Sequence, residues 1–169
     1  TARRRFTRHE AGGQWNELGV ARARLGALPS AERAFRHAAR LFEACDGGDV
    51  AACNKLAVRL ERGEYVLRDE ARAAVLYQRA CDGRIGDGCA SLGSMYQRGF
   101  GVERDHKRAI SLYEQGCDRG GMDGCARLGV LLRRGDGISP DVAKAAVLFD
   151  KACTGGNLTA CANLGDLYS

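Results

Sequence analysis

Proline is almost absent from this chain of 169 residues; Pro29 and Pro140 are the only two. Proline lacks an amide hydrogen and clashes with the preceding helical turn, so its scarcity leaves nearly the whole chain open to helix. Lysine is scarce too: Lys55, Lys107, Lys144 and Lys151 are the only lysines among 26 basic residues. Genome composition explains that skew as readily as function does. No apolar run approaches the roughly 20 residues that a membrane-crossing helix needs. The opening stretch TARRRFTRHE lacks the apolar segment of a secretory leader. Catalytic signatures are missing as well. None of Ser30, Ser91, Ser94, Ser111, Ser139 or Ser169 has a lysine three residues on, as serine β-lactam chemistry requires. There is no G-x-S-x-G, H-E-x-x-H or G-x-x-x-x-G-K, and His9, His37 and His106 are scattered over different units. The expectation is a protein that is not an enzyme and holds no cofactor or metal. A net charge of +5 is modest, without the dense basic stripe and stacking aromatics of a nucleic-acid binder.

Cysteine, by contrast, is abundant and regular. Cys45 and Cys53, Cys81 and Cys89, Cys117 and Cys125, and Cys153 and Cys161 all read C-x7-C, each pair 36 residues after the last. The breaks between partners are rich in glycine and aspartate: DGGDVAA, DGRIGDG, DRGGMDG and TGGNLTA. Self-similarity at a fixed period in the thirties is the mark of a helical solenoid. Each unit then buries its apolar face against its neighbours rather than in one central core. With 45% apolar and 28% charged residues the chain is not intrinsically disordered. Cys81 ends one apolar-periodic segment, AVLYQRAC, and Cys89 lies in the first turn of the next, CASLGSMY. Antiparallel helices joined by a tight glycine turn bring such side chains into bridging range. Disulfides are the preferred reading and imply an oxidising compartment. Metal or haem ligation and free thiols stay open as alternatives, although zinc wants four converging ligands at closer spacing.

Along the chain, residues 1–11 form a basic lead. Residues 12–45 place Trp15, Leu18, Gly19, Gly26, Ala31, Phe35 and Ala38 at the spacings of a tetratricopeptide unit, with Arg22 where that pattern prefers an aromatic. Gly19 is expected to admit the paired helix and Phe35 to fill the gap. In the later units Asp49, Asp69 and Asp105 read as helix N-caps. Ser139 reads as a fourth cap, with Pro140 at the first helical position. Arg62-Gly63 ends a helix. The aromatic series Phe35, Tyr77, Tyr113 and Phe149 reads as packing between helices rather than as a cofactor stripe. Residues 154–169 supply one further helix without a partner, which points to a longer parent protein.

The segments LAVRLERGEYVLRDEARAAVLYQRACDG (56–83), LGSMYQRGFGVERDHKRAISLYEQGCDRG (92–120) and LGVLLRRGDGISPDVAKAAVLFDKACTGG (128–156) resemble the Sel1-like repeats. These are relatives of the tetratricopeptide class, and the cysteine-bearing form is similar to the Helicobacter cysteine-rich protein family. The first segment departs with EYV where the others carry a glycine before the following valine or isoleucine. The resemblance implies an all-α, right-handed α/α solenoid. Its parts are the tetratricopeptide-like unit at 12–45, then three Sel1-like repeats and a final helix over 46–169, continuous with it. It implies one disulfide per repeat, a secreted or periplasmic home, and a role as adaptor or scaffold. Some cysteine-rich members carry a penicillin-binding or β-lactamase label, so binding or hydrolysis of β-lactams or cell-wall fragments is the alternative function.

In tetratricopeptide arrays the first helix of each unit lines the concave groove. Six residues past each repeat's leucine stand Arg24, Arg62, Arg98 and Arg134. Stacking sets such a row at rungs roughly 10 Å apart. The row is read two ways: as a grip on carboxylates or phosphates, or as cations complementing helix C-termini. Asn16 and Asn54, one place after Trp15 and Cys53, are candidates for fixing a peptide backbone beside it. The expected partner is a protein or peptide, acidic or extended.

Overall fold

The computed structural model describes residues 29–168. The basic lead and the first helix of the tetratricopeptide-like unit, with Trp15, Asn16, Gly19 and Arg24, lie outside the described residues, as does the side chain of Phe35. Among the described residues there are eight α-helices and no strand: α1 (Pro29–Asp46), α2 (Val50–Arg62), α3 (Glu70–Asp82), α4 (Gly86–Arg98), α5 (His106–Asp118), α6 (Met122–Arg134), α7 (Val142–Thr154) and α8 (Leu158–Tyr168). Each packs on its sequence neighbours, and this is an all-α solenoid.

The helix boundaries follow from local chemistry. Asp49 begins α2 by accepting from the amides of Ala51 (2.9 Å) and Ala52 (3.0 Å). Asp69, Asp105 and Asp141 each accept at 2.9 Å from the amide three residues on, satisfying a donor left orphaned in the first turn of α3, α5 and α7. The last of these corrects the expectation for Ser139 and Pro140. The cap is Asp141, and α7 begins at Val142 rather than at Pro140. A carboxylate in register with Asp69 and Asp105 outcompetes the serine two residues earlier. At the other end, α2, α4 and α6 stop at the left-handed glycines Gly63, Gly99 and Gly135.

Between the two helices of each repeat sits one large ring: Tyr77, Tyr113 and Phe149, all fully buried. The facing helix makes room with a small residue. A Cβ added at Gly93 would lie 2.9 Å from the ring of Tyr113, and one at Gly129 would lie 2.7 Å from that of Phe149. A buried hydroxyl needs an acceptor. Tyr77 donates to Glu61 Oε2 at 2.8 Å, and Tyr113 donates to Gln97 Oε1 at 2.7 Å. Phe149 has no hydroxyl, and the corresponding position carries Arg133, whose guanidinium stands 5.9 Å from the ring centre. Burial foremost, helped by the hydrogen bond and charge of Glu61, pushes the Tyr77 hydroxyl well above its ordinary value. Burial likewise raises Tyr113. Both hydroxyls therefore stay protonated donors.

All eight cysteines are paired, with Cα atoms 4.7, 4.6, 4.5 and 4.6 Å apart along the chain. Each bridge closes the short loop between the second helix of one repeat and the first of the next. The carbonyl of the earlier cysteine accepts a turn amide three residues on, from Gly48, Arg84 and Gly120 in the first three bridges, and there it is also met by a cation from further along the chain. Arg79 reaches Cys45 O at 2.8 Å, Arg119 reaches Cys81 O at 2.6 Å, and Lys151 reaches Cys117 O at 3.1 Å. The middle cation comes from a different register because Gln115 occupies the place of Arg79 and Lys151.

Size complementarity along this edge also alternates. Gly83 backs onto Val50 and Gly155 onto Met122, each glycine leaving no space for a Cβ. In the repeat between them the small member changes sides. Gly86 stands where Val50 and Met122 do, 2.9 Å (measured from an added Cβ) from the carbonyl of Arg119.

Candidate functional site

The two layers of helices differ in how closely they crowd. α4 packs on α6, and α6 touches α8, whereas no comparable contact joins α3, α5 and α7. The first helices α4, α6 and α8 therefore lie closer to one another than the second helices do. Between α2 and α4, which do not meet as closely, a cavity of about 240 Å³ opens. Arg62 and Arg98 line it, together with Arg127 from α6. Glu61, Asp123 and the hydroxyl-bearing Tyr77, Ser91 and Ser94 complete its polar wall.

The carboxylates of this wall are already engaged. Glu61 accepts from Tyr77 and stands 3.5 Å from Arg98. Asp123 accepts from Asn157 Nδ2 at 2.7 Å. Arg98 also donates to Ser94 Oγ at 2.9 Å and lies 4.8 Å from the ring centre of Phe100. Arg62 has a looser contact, 3.5 Å to Glu64, and a side chain 65% exposed. A guanidinium carries five N–H donors, more than these contacts consume.

Of the arginine row, the cavity brings Arg62 and Arg98 together; Arg134, at the exposed end of α6, is not among its lining residues. Arg24 and Asn16 lie outside the described residues. Asn54 is half-buried on α2 and outside the cavity lining, and its Oδ1 is buried without a hydrogen-bond partner among the described residues. Sequence reasoning passed over Arg127, Glu61 and Asp123. A usable signal was present: Asp123 and Arg127 are one helical turn apart on the same face. His106 is half-buried and accepts at Nε2 from Arg104 Nε at 2.9 Å. Among the described residues no group of three His, Cys, Asp or Glu side chains is placed to hold a metal ion. No described helix is long and apolar enough to cross a membrane.

Paired helices stacked by short bridged loops define the helical-repeat scaffold class. The Sel1 repeat model matches residues 50–84, 86–121 and 123–157, more than half of the chain. The chain belongs to the Sel1 repeat family. Solved structures agree. A protective antigen present in uropathogenic Escherichia coli strains, displaying an SLR fold, is 29% identical with a TM-score of 0.69 over 76% of this chain and 27% of its own. A Sel1 repeat protein from Oxalobacter formigenes shares the fold with a TM-score of 0.65 at 22% identity, over 71% of this chain and 49% of its own. Cysteine-rich protein B of Helicobacter pylori, 25% identical with a TM-score of 0.61, aligns over 83% of this chain and 98% of its own. The chain thus spans about a quarter of the first relative and half of the second. No curated protein matches it in sequence.

Proposed function

We propose that this chain is a non-catalytic scaffold that holds a protein or peptide on its concave face. Arg62, Arg98 and Arg134 engage an acidic or extended partner, with Asn54 beside them. The observation that carries the reading is the cavity between α2 and α4, where two arginines of the row converge beside a third. Four disulfides support an extracytoplasmic home, because a reducing cytosol keeps thiols apart. The β-lactam reading draws no support from the cavity. Its serines have no lysine beside them in the lining, and Ser94 is occupied by Arg98. Turnover of nitrocefin by the oxidised protein would reverse that judgement.

The competing role for the arginines is structural, since each lies in the last turn of its helix. A cation there is worth about 0.3–1 kcal/mol. Replacing Arg62, Arg98 and Arg134 together with alanine separates the two roles. On an array of extended acidic peptides we expect affinity to fall at least tenfold, with the melting temperature lowered by only a few degrees. Unchanged affinity with a lowered melting temperature makes the arginines helix-end cations and removes the binding role.

A further inference from the structure

We infer that the cavity between α2 and α4 is a subsite for a single carboxylate, held by Arg62, Arg98 and Arg127, and that it discriminates against phosphate. This rests on the concave-face reading above and sharpens it in two respects: how many charges the site takes, and which residue outside the arginine row completes it.

The size of the cavity comes first. About 240 Å³ lies below the range of about 300–1,000 Å³ typical of drug-sized ligand pockets. It suits one anchoring side chain or chain end, with the rest of a peptide lying along the groove. Charge comes next. Three guanidiniums and the two carboxylates of Glu61 and Asp123 leave one net positive charge in the wall. A monoanion balances that charge. A phosphoryl group carries close to two negative charges at neutral pH, and the second meets the like charges of Glu61 and Asp123 in the same wall, which repel it. Glu61 accepts from Tyr77 and Asp123 from Asn157, and these bonds hold both acids at the wall that a larger anion would face.

Geometry supplies the third strand. Arg62 from α2 and Arg127 from α6 approach from helices on either side of α4, with Arg98 between them on α4 itself. Arg98 is the most committed of the three, sharing its donors between Ser94 and Glu61. Arg62 and Arg127 are the arms that close on the ligand, and the planar fork of each matches a carboxylate bidentately. The carboxylate has two chemical sources, an acidic side chain within a peptide or the C-terminus of a chain. Both present the same two oxygens.

The test uses the full oxidised chain and small probes, read through the NMR signals of the arginine side chains. N-acetylglutamate amide presents a side-chain carboxylate, N-acetylalanine a terminal one, N-acetylglutamine amide none, and N-acetylphosphoserine amide a dianion. We expect at least one of the two carboxylates to shift Arg62, Arg98 and Arg127 together with millimolar affinity. The one that binds more tightly identifies the source. The glutamine probe is expected to leave the signals unmoved, and the phosphoserine probe to bind at least threefold more weakly than that carboxylate. Arg127→Met should weaken carboxylate binding about tenfold, and Arg127→Lys should restore part of it, since a charge remains. Tighter binding of the phosphoserine probe, equal binding of the glutamine probe, or an unaffected Arg127→Met variant overturns the subsite. If the small carboxylates leave the three arginines unmoved while acidic peptides still bind in an Arg134-dependent way, the subsite falls and the scaffold reading stands. If the peptides fail as well, both fall.

Discussion

The two edges of this solenoid solve the same problem by different means. At the bridged edge only three residues separate successive helices, as between Asp46 and Val50. At the opposite edge seven residues separate Arg62 from Glu70. The short connections are held covalently, packed backbone to backbone at glycine and tied across repeats by Arg79, Arg119 and Lys151. The long ones rely on a left-handed glycine at one end and an aspartate cap at the other. Repeat geometry is therefore set at one edge and only trimmed at the other.

If that contrast holds, the largest single effect belongs to the bridges. Cys117→Ala with Cys125→Ala should cost about 2–3 kcal/mol, the loop-closure value for so short a ring. The midpoint of urea denaturation under oxidising conditions measures it. A loss below about 1 kcal/mol would mean that packing alone sets the edge. Next comes the trimmed edge, where Asp141→Ala should cost about 1 kcal/mol, as for other N-caps. The same assay applied to Ser139→Ala should register almost nothing, because Ser139 is not the cap. A reversed order would restore the serine.

The smallest effect runs the other way. Positions 48, 120 and 156 carry glycine with φ of 97°, 81° and 92°, while the equivalent Arg84 holds φ at 67°. A side chain has space there, since nothing lies within 4 Å of a Cβ at the three glycines. The cost at Arg84 is thus backbone conformation alone. Arg84→Gly should raise stability by about 0.5–1 kcal/mol, the left-handed penalty less the added freedom of glycine in the unfolded chain. A fall in the denaturation midpoint would show that Arg84 has a compensating role.

Most of the fold is legible in the sequence because it is periodic. The cysteine spacing, the apolar stripes and the cap residues Asp69 and Asp105 all repeat every 36 residues. What escapes is whatever breaks the period. Asp141 repeats faithfully, but the Ser139-Pro140 pair beside it gives a competing local signal. Arg119 does the work of Arg79 and Lys151 from four residues away from the matching position, so no alignment of repeats finds it. Tyr65 occupies a left-handed position where Gly101 and Gly137 stand, and EYV in the sequence marks the departure without revealing the conformation. The cavity is illegible for a different reason. It depends on how far α2 stands from α4, a tertiary distance that spacing along one helix does not encode. The arginine row is read from spacing alone, and spacing does not tell Arg134 from Arg98.

The alternating small and large residues along the bridged edge bear on how such a chain is lengthened or shortened by duplication. Each pair joins residues 33 apart, so one period of 36 residues leaves cleanly only when both members leave together. Excising residues 86–121 removes Gly86 along with Arg119. Excising 100–135 removes the same length but sets Gly86 opposite Gly155, with no side chain on either side. Excising 64–99 sets Val50 opposite Arg119, with a side chain on both. The unit that can be copied or lost intact therefore begins with the first helix of a repeat, and it carries one cysteine from each of two bridges. A unit inherited alone would arrive with both thiols unpaired, and only the arrival of neighbours would complete it.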